Sequence, residues 1–521
     1  MLSNLKSEPL DVLVIGGGAT GLGCAVDAAT RGYKTALVEA HDFAKGTSSR
    51  STKLVHGGVR YLENFDFGLV AEALEERATM AANAPHIVHD LKFVVPRYQW
   101  WEGPFYGIGL KLYDALAGKR NLGPSRSLSR EEAAAAIRGV QEDGLLGGIE
   151  YHDAQFDDAR MAIALAKTAA NAGAVVLNYA RVTELLRADG HTGGAIIRDE
   201  ESGELIRVEA SVVINATGVF ADRVRALDGS DHAGIEVEPA RGAHLVFDRS
   251  FLPGNEAIMV PHTDDGRVLF VIPWHDRALV GTTDVETKDL TMEPRATEDE
   301  IDFILRNAAR YLARRPERAD ILSVFAGLRP LVRPKGSAHG SKRVSREHVV
   351  SVSASGVVTI LGGKWTTYRK MAQDTVDMAA RVGALDSKDC RTRQVRIHGF
   401  AADSKLEAGL GSSRALYGSD ARHLASIEST LPELARPLHP RLQLTGSEVI
   451  FAATHEMART LEDVLARRCR ALFLDARAAM EVAPDVAALL ALELRWTPER
   501  TQSERDAFLR LAREYLPEGS V

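Results

Sequence analysis

Residues 11–39 read DVLVIGGGATGLGCAVDAATRGYKTALVE. Asp11 to Gly16 is a short β-branched apolar run, Ala19 to Arg31 is small and alanine-rich, and Thr35 to Glu39 is a second strand-like run, so the stretch predicts a βαβ unit. Between the first strand and the helix stands G-x-G-x-x-G, formed by Gly16, Gly18 and Gly21, with Gly17 and Thr20 inside it. Gly16 permits the tight turn and Gly18 lets backbone approach a pyrophosphate. Gly21 lets helix and strand pack closely, and the helix N-terminus supplies N–H donors to the phosphates. Glu39 closes the second strand, where its carboxylate accepts ribose hydroxyls and repels a 2′-phosphate, which disfavours NADP. The motif does not separate FAD from NAD. No second fingerprint follows, although a flavoprotein reductase fed by NAD(P)H would need one.

Composition narrows the class. A chain of 521 residues is expected to form two or three domains. Hydrophobic residues at 45% and charged residues at 26% are ordinary globular values. With 64 basic against 71 acidic residues, no global positive field attracts nucleic acid. Cys24, Cys390 and Cys469 lie far apart, which excludes CxxC redox pairs and cysteine-rich zinc or iron–sulfur motifs. The start of the chain carries no apolar signal-like region, and no uncharged run is long enough to span a bilayer, so the expected address is cytoplasmic.

Along the chain, Phe67 to about Asn83 and Ala159 to Ala172 read as helices. Val175 to Leu177 and Ser211 to Gly218 read as further strands of a doubly wound sheet. From Glu238 to Ile360 short strands dominate, interrupted by one helix, Glu298 to Arg314. From Asp389 onward the pattern is helical throughout, clearest over Glu448 to Phe473 and Pro484 to Leu494. The expected architecture is α/β. A discontinuous dinucleotide domain covers 1–95, 150–237 and 325–380, a β-rich substrate domain covers 96–149 and 238–324, and a helical cap covers 389–521.

The loop after the first unit, Thr47 to Glu63, reads TSSRSTKLVHGGVRYLE and closely resembles the TSS-x-S-x-KL-x-HGG-x-RYLE signature of FAD-dependent glycerol-3-phosphate dehydrogenases of the aerobic, quinone-linked type. Further blocks agree, in the family's order: Val271 to Trp274, Gly281 to Asp284, Gly327 to Leu331 and Gly362 to Lys370. The resemblance implies a Rossmann-like FAD domain of the glycine-oxidase and D-amino-acid-oxidase type, sn-glycerol 3-phosphate as substrate and dihydroxyacetone phosphate as product. It assigns Thr47, Ser48, Ser49, Thr52, Lys53, Leu54, His56, Gly57, Gly58, Val182, Ala216, Thr217, Gly218, Gly362, Gly363, Lys364, Thr366 and Thr367 to the cofactor, beside the fingerprint and Glu39. Gly57 and Gly58 suit backbone lying against an isoalloxazine ring.

Oxidising a secondary alcohol requires hydride removal to flavin N5 and a base for the hydroxyl proton, and histidine is the natural base near neutrality. His56 and His244 are the candidates, with His56 slightly favoured. A phosphate dianion calls for bidentate arginine; Arg60 and Arg329 lead, with Tyr61 and Lys364 nearby by the resemblance. Lys364 could instead stabilise reduced flavin. The family passes electrons to membrane quinone or to oxygen. The aromatic run Tyr98 to Tyr113, ending near Lys119 and Arg120, suits a lipid headgroup region or a core or subunit contact. Quinone reduction by a peripheral membrane enzyme is expected, with a homodimer and with the oxidase as alternative. The rivals are a flavin amine oxidase and a nucleotide sensor without catalysis. His455 and Glu456 are adjacent, point to different helix faces and do not suggest zinc.

Overall fold

The computed structural model describes residues 5, 8–58, 66–229, 235–334, 348–401 and 413–519. The first sheet is built around the predicted βαβ unit. Leu10–Ile15 is flanked in parallel by Thr35–Val38 and Leu205–Asn215. Val175–Leu177 and Val358–Gly362 extend the sheet, also in parallel, and His348–Val352 closes that edge antiparallel. The central strands are apolar on both faces because helices Ala19–Thr30, Asp158–Asn171 and Tyr368–Val382 share one core with them.

The second sheet runs, in order, Val285–Glu286, Ile235–Asp248, Arg277–Gly281, Leu269–Trp274, Ala257–Val260, Val88–Arg97, Gly147–Phe156 and Leu54–Val55. Ile321–Pro334 and Arg126–Leu128 pair with it off that path. These ladders redraw the expected boundaries. Val88–Arg97 pairs along its whole length with Gly147–Phe156, from Val88 opposite Phe156 to Arg97 opposite Gly147. Cuts after residues 95 and 149 would split that ladder. Ile321–Pro334 likewise pairs with Ile235–Asp248 rather than with the first sheet, so a cut at residue 325 divides one continuous strand.

The C-terminal region is not helical throughout. A hairpin of Pro437–His439 and Leu442–Thr445 precedes helix Gly446–His455. The run expected to continue to Phe473 breaks there: Asp463–Arg468 adopts π geometry, Arg470 takes φ 65°, and Ala471–Leu474 restarts the helix. The break serves the buried Arg470 described below. Nor is the region a detached cap. Leu472, Phe473, Val482, Val486 and Leu490 share one apolar cluster with Leu91, Phe93, Tyr151 and Ile272 of the second sheet.

The aromatic run forms helix Glu102–Ala117. Tyr106, Leu110 and Tyr113 are buried, whereas Trp101, Phe105, Ile108 and Leu112 recur at helical spacing on an exposed stripe beside Trp100. Trp100 is 78% and Ile108 72% exposed. No helix among the described residues is long and apolar enough to cross a membrane.

Candidate active site

The site is built where the parallel strands of the first sheet end, the usual crevice of a doubly wound sheet. Gly16 leaves its strand at φ 113°, with an added Cβ falling 2.6 Å from the carbonyl of Ala216. At Gly21 an added Cβ would sit 1.9 Å from the carbonyl oxygen of Gly16, so helix and strand touch through backbone. Helix Ala19–Thr30 begins at Gly18 without a side-chain N-cap on that residue, which leaves a helix N-terminus open to phosphate. Ser48 reaches this end, its hydroxyl accepting from Ala19 N at 2.9 Å. Glu39 accepts from Gly17 N at 2.6 Å and from His41 N at 2.8 Å. Burial raises its carboxyl above the usual range. Ala216 donates its N–H to Ile15, and Asn215 anchors Thr217 through N–H and hydroxyl. Gly218 opens the following turn. Val182 lies on strand Ala180–Ala188, against the cluster containing Ile15 and Val38.

The loop from Thr47 onward is clasped from three sides. Thr47 donates its hydroxyl to Leu328 O at 2.5 Å, next to Arg329. Trp365 donates Nε1–H to Ser48 O, and the hydroxyl of Thr366 meets both N and O of His56. Lys364 precedes this short turn, which holds Trp365, Thr366 and Thr367 directly after Gly362 and Gly363. From below, the hydroxyl of Tyr113 accepts from Gly57 N at 2.8 Å and donates to Asp153, itself paired with Arg77 at 2.7 Å. An added Cβ at Gly57 would lie 2.6 Å from that hydroxyl. Glycine there answers this close underside contact, a different demand from the flavin face expected of it. Gly58 carries φ 81°. Arg60 and Tyr61 lie outside the described residues.

Lys53, assigned to the cofactor by resemblance, has its ammonium spent elsewhere. The side chain is fully buried, with Nζ 2.7 Å from Asp158 and 2.8 Å from Ser49 O, among the rings of Trp274, Phe325 and Phe473. Burial pushes its amine down to about 7 against the pull of Asp158. Leu54 is likewise buried, in the short strand Leu54–Val55 that edges the second sheet. Asp158 also accepts from Ser51 N and Oγ, so one carboxylate shapes residues 49–53. Arg470 completes the knot by donating to Ser49 O at 2.7 Å and to Asp158 at 3.3 Å. Arg50 donates to the hydroxyl of Tyr515 at 2.9 Å and pairs with Glu293 at 2.6 Å, while Tyr515 O receives Val324 N.

The two histidines part company. His244 is buried, stacks on Phe325 at 4.8 Å between centroids and meets Thr52 Oγ1 through Nε2 at 2.9 Å. Burial, Lys53 and Arg329 hold its imidazole well below the ordinary range. His56 is only partly buried and sits edge-on to Phe270. Arg329 donates to Asp284 at 3.0 Å, Thr282 Oγ1 at 3.2 Å and Thr283 O at 3.1 Å. That anchor fixes one edge of its guanidinium fork.

A family profile described as FAD dependent oxidoreductase matches residues 11–369, and one described as the C-terminal domain of alpha-glycerophosphate oxidase matches 358–501. The mitochondrial glycerol-3-phosphate dehydrogenase of Rattus norvegicus is 42% identical over 97% of this chain and 73% of its own length. The chain belongs to the FAD-dependent glycerol-3-phosphate dehydrogenases. The Arabidopsis thaliana mitochondrial enzyme is 40% identical over 99% of this chain and 87% of its own. Among solved structures, the Bacillus halodurans glycerol-3-phosphate dehydrogenase complexed with FAD superposes with a TM-score of 0.81 at 30% identity, covering 99% of this chain and 97% of that one. Glycine oxidase from Geobacillus kaustophilus shares the fold at a TM-score of 0.53 and 20% identity, over 74% of this chain and 97% of that one.

The residues fit the family's cofactor. The pinched glycine turn and the backbone N–H groups of the helix start suit a pyrophosphate, and Glu39 follows the strand Thr35–Val38 where a ribose is read. Sequence reading missed Tyr113, Asp153, Asp158, Trp365 and Arg470. None touches a recognisable motif spacing except Trp365, which stands inside the quoted block Gly362 to Lys370.

Proposed function

We propose that this chain oxidises sn-glycerol 3-phosphate to dihydroxyacetone phosphate and delivers the electrons to membrane quinone from the inner face of the cell membrane. The observation that carries the substrate reading is the Thr47–Leu328 bond, which puts Arg329 beside the flavin loop. There its fixed guanidinium answers a phosphate dianion. When bound, FAD supplies the two-electron acceptor for the hydride leaving the carbinol carbon.

The protein's part is positioning and proton movement. Gly16, Gly18 and the helix start would hold the pyrophosphate, while His56, Gly58 and the Gly362–Thr367 turn would border the ring. His56 takes the hydroxyl proton, because His244 is sealed against Phe325 and burial with the nearby Lys53 and Arg329 makes its imidazole a poor proton acceptor. The quinone reading is supported by the stripe Trp101, Phe105, Ile108 and Leu112, an apolar surface suited to the headgroup region.

Anaerobic titration of the purified holoenzyme tests this. Glycerol 3-phosphate is expected to bleach the flavin and glycine or sarcosine to leave it oxidised. A ubiquinone analogue should then restore colour faster than air, and lipid vesicles should float the protein. Bleaching by amino acids would favour the amine oxidase, and rapid peroxide formation without vesicle binding would favour the oxygen-reducing enzyme.

A further inference from the structure

Strand Ile235–Asp248 runs between Ile321–Pro334 on one side and, on the other, Arg277–Gly281 followed by Val285–Glu286. On the first side Arg329 stands opposite Ala240. On the second, His244 pairs with Gly281 and Arg241 with Val285. Residues 282, 283 and 284 therefore span the interval that Gly242 and Ala243 fill on the central strand, one residue more than a regular ladder holds. An extra residue of this kind bends its strand and re-aims its groups, a device common beside active sites.

The bent residues close on Arg329. Thr282 Oγ1, Thr283 O and Asp284 Oδ1, from consecutive positions, accept from its guanidinium at 3.2, 3.1 and 3.0 Å. To reach them from its place opposite Ala240, the side chain crosses the diagonal neighbour Gly242 on the same sheet face. An added Cβ at Gly242 would lie 2.5 Å from Nη2 and 2.9 Å from Cζ of Arg329. The guanidinium thus rests on backbone that no side chain covers.

The acceptors are themselves held. Thr283 donates its hydroxyl to buried Glu300 at 2.6 Å and accepts from Ala243 N at 2.8 Å. Glu300 also receives Arg241 Nε at 2.8 Å and Thr297 N at 3.0 Å, which ties it to the start of helix Glu298–Ala308. Asp284 serves a second cation. Its Oδ2 lies 3.3 Å from Nη1 of Arg267, which donates to Asp284 O as well. Arg267 is set by the turn at Thr263, whose hydroxyl accepts from Arg267 N at 2.9 Å. One carboxylate therefore orients two guanidinium groups through its two oxygens.

Resting on the reading of Arg329 as the phosphate ligand, we propose that Asp284 is the positioning residue for that grip and that Gly242 is a specificity-determining position. Asparagine at 284 offers a single oxygen to two guanidinium groups and turns an amide N–H₂ toward the other. Arg329 then loses its charge-assisted anchor and with it a fixed direction. A methyl group at 242 lifts the guanidinium off the sheet. Neither residue belongs to the glycine turn or to the loop from Thr47 to Gly58, so flavin and base keep their places.

Steady-state kinetics and flavin content of the Asp284→Asn, Gly242→Ala and Arg329→Ala holoenzymes, and of the Asp284→Asn, Arg329→Ala double variant, test this. Asp284→Asn is expected to raise KM for glycerol 3-phosphate about tenfold, with kcat changed by less than about twofold and FAD retained. In the Arg329→Ala background the same substitution should add less than about twofold, because its effect passes through the missing guanidinium. Guanidinium ion at non-denaturing concentration should restore part of the kcat/KM lost in Arg329→Ala but not in the double variant, with sodium chloride as control. Gly242→Ala should show the same rise in KM and serves if Asp284→Asn fails to fold. An unchanged KM in Arg329→Ala would refute the phosphate reading itself. With that KM raised, the proposal is overturned by an unchanged KM in Asp284→Asn, by effects of the two substitutions that simply multiply, or by a guanidinium rescue indifferent to Asp284.

Discussion

Alanine at Gly21 and at Gly18 separates what the glycine turn does for the fold from what it does for the cofactor. At Gly21 the new Cβ would lie 1.9 Å from Gly16 O, while ordinary contact begins near 3.4 Å, so helix Ala19–Thr30 must withdraw by about 1.5 Å. Overpacking of that kind costs about 1–3 kcal/mol. It also moves the helix N-terminus from the phosphates it serves. At Gly18 the new Cβ meets only Ser48 Oγ, at 3.1 Å, a contact that a shift of a few tenths of an ångström in that side chain relieves. Gly18→Ala should thus leave the apoprotein's urea midpoint almost unchanged, yet purify with little flavin, because the methyl group occupies the approach to the pyrophosphate. Gly21→Ala should lower the midpoint and also lose flavin. Flavin absorbance per protein and urea unfolding of both apoproteins measure the pair. Stoichiometric FAD in Gly18→Ala, or an undisturbed midpoint in Gly21→Ala, would refute the reading of this turn.

Asp158→Asn leaves Lys53 and Arg470 buried without their shared carboxylate and should cost about 3–5 kcal/mol, measured by denaturant unfolding. Tyr113→Phe strips Gly57 N and Asp153 of a partner, costing about 1–3 kcal/mol, and should loosen the flavin loop, seen as faster FAD release on dilution. Arg329→Ala should raise KM for glycerol 3-phosphate sharply with FAD still bound; an unchanged KM would reject its phosphate role. His41 and His86 are held by burial down to about 4, and His244 well below its usual value. The unfolded chain therefore binds protons that the folded chain refuses once pH drops below about 6.5. The stability that these three histidines contribute should be fully present above that pH and fall progressively toward pH 4, a trend that melting curves at fixed ionic strength will follow or contradict.

The first sheet was readable because its signals are local: alternation of strand and helix, a glycine spacing and a terminal acid all lie within residues 11–39. The quoted blocks meet in space, with Thr366 on His56 and Trp365 on Ser48. What escaped was set by partners far along the chain. Nothing near Val88–Arg97 says that it pairs with Gly147–Phe156, so domain limits drawn from texture cut through ladders. Lys53 looked like a cofactor residue because of its neighbours in sequence, but its fate depends on Asp158 and on rings from Trp274, Phe325 and Phe473. Tyr113 stood in an aromatic run that carries two faces, one exposed and one bearing the support of Gly57.

The grip of Tyr515 on Arg50 bears on biosynthesis. Arg50 is made 465 residues before Tyr515, whose hydroxyl holds it. Arg470, which braces Ser49, is also made late. A nascent polypeptide can assemble the nucleotide half of its pocket first, but the loop carrying Ser49 and Arg50 stays unbraced until Arg470 and Tyr515 have been made. Tight retention of the prosthetic group is thereby expected to depend on residues made late, and a chain cut between Arg470 and Tyr515 should purify with less flavin.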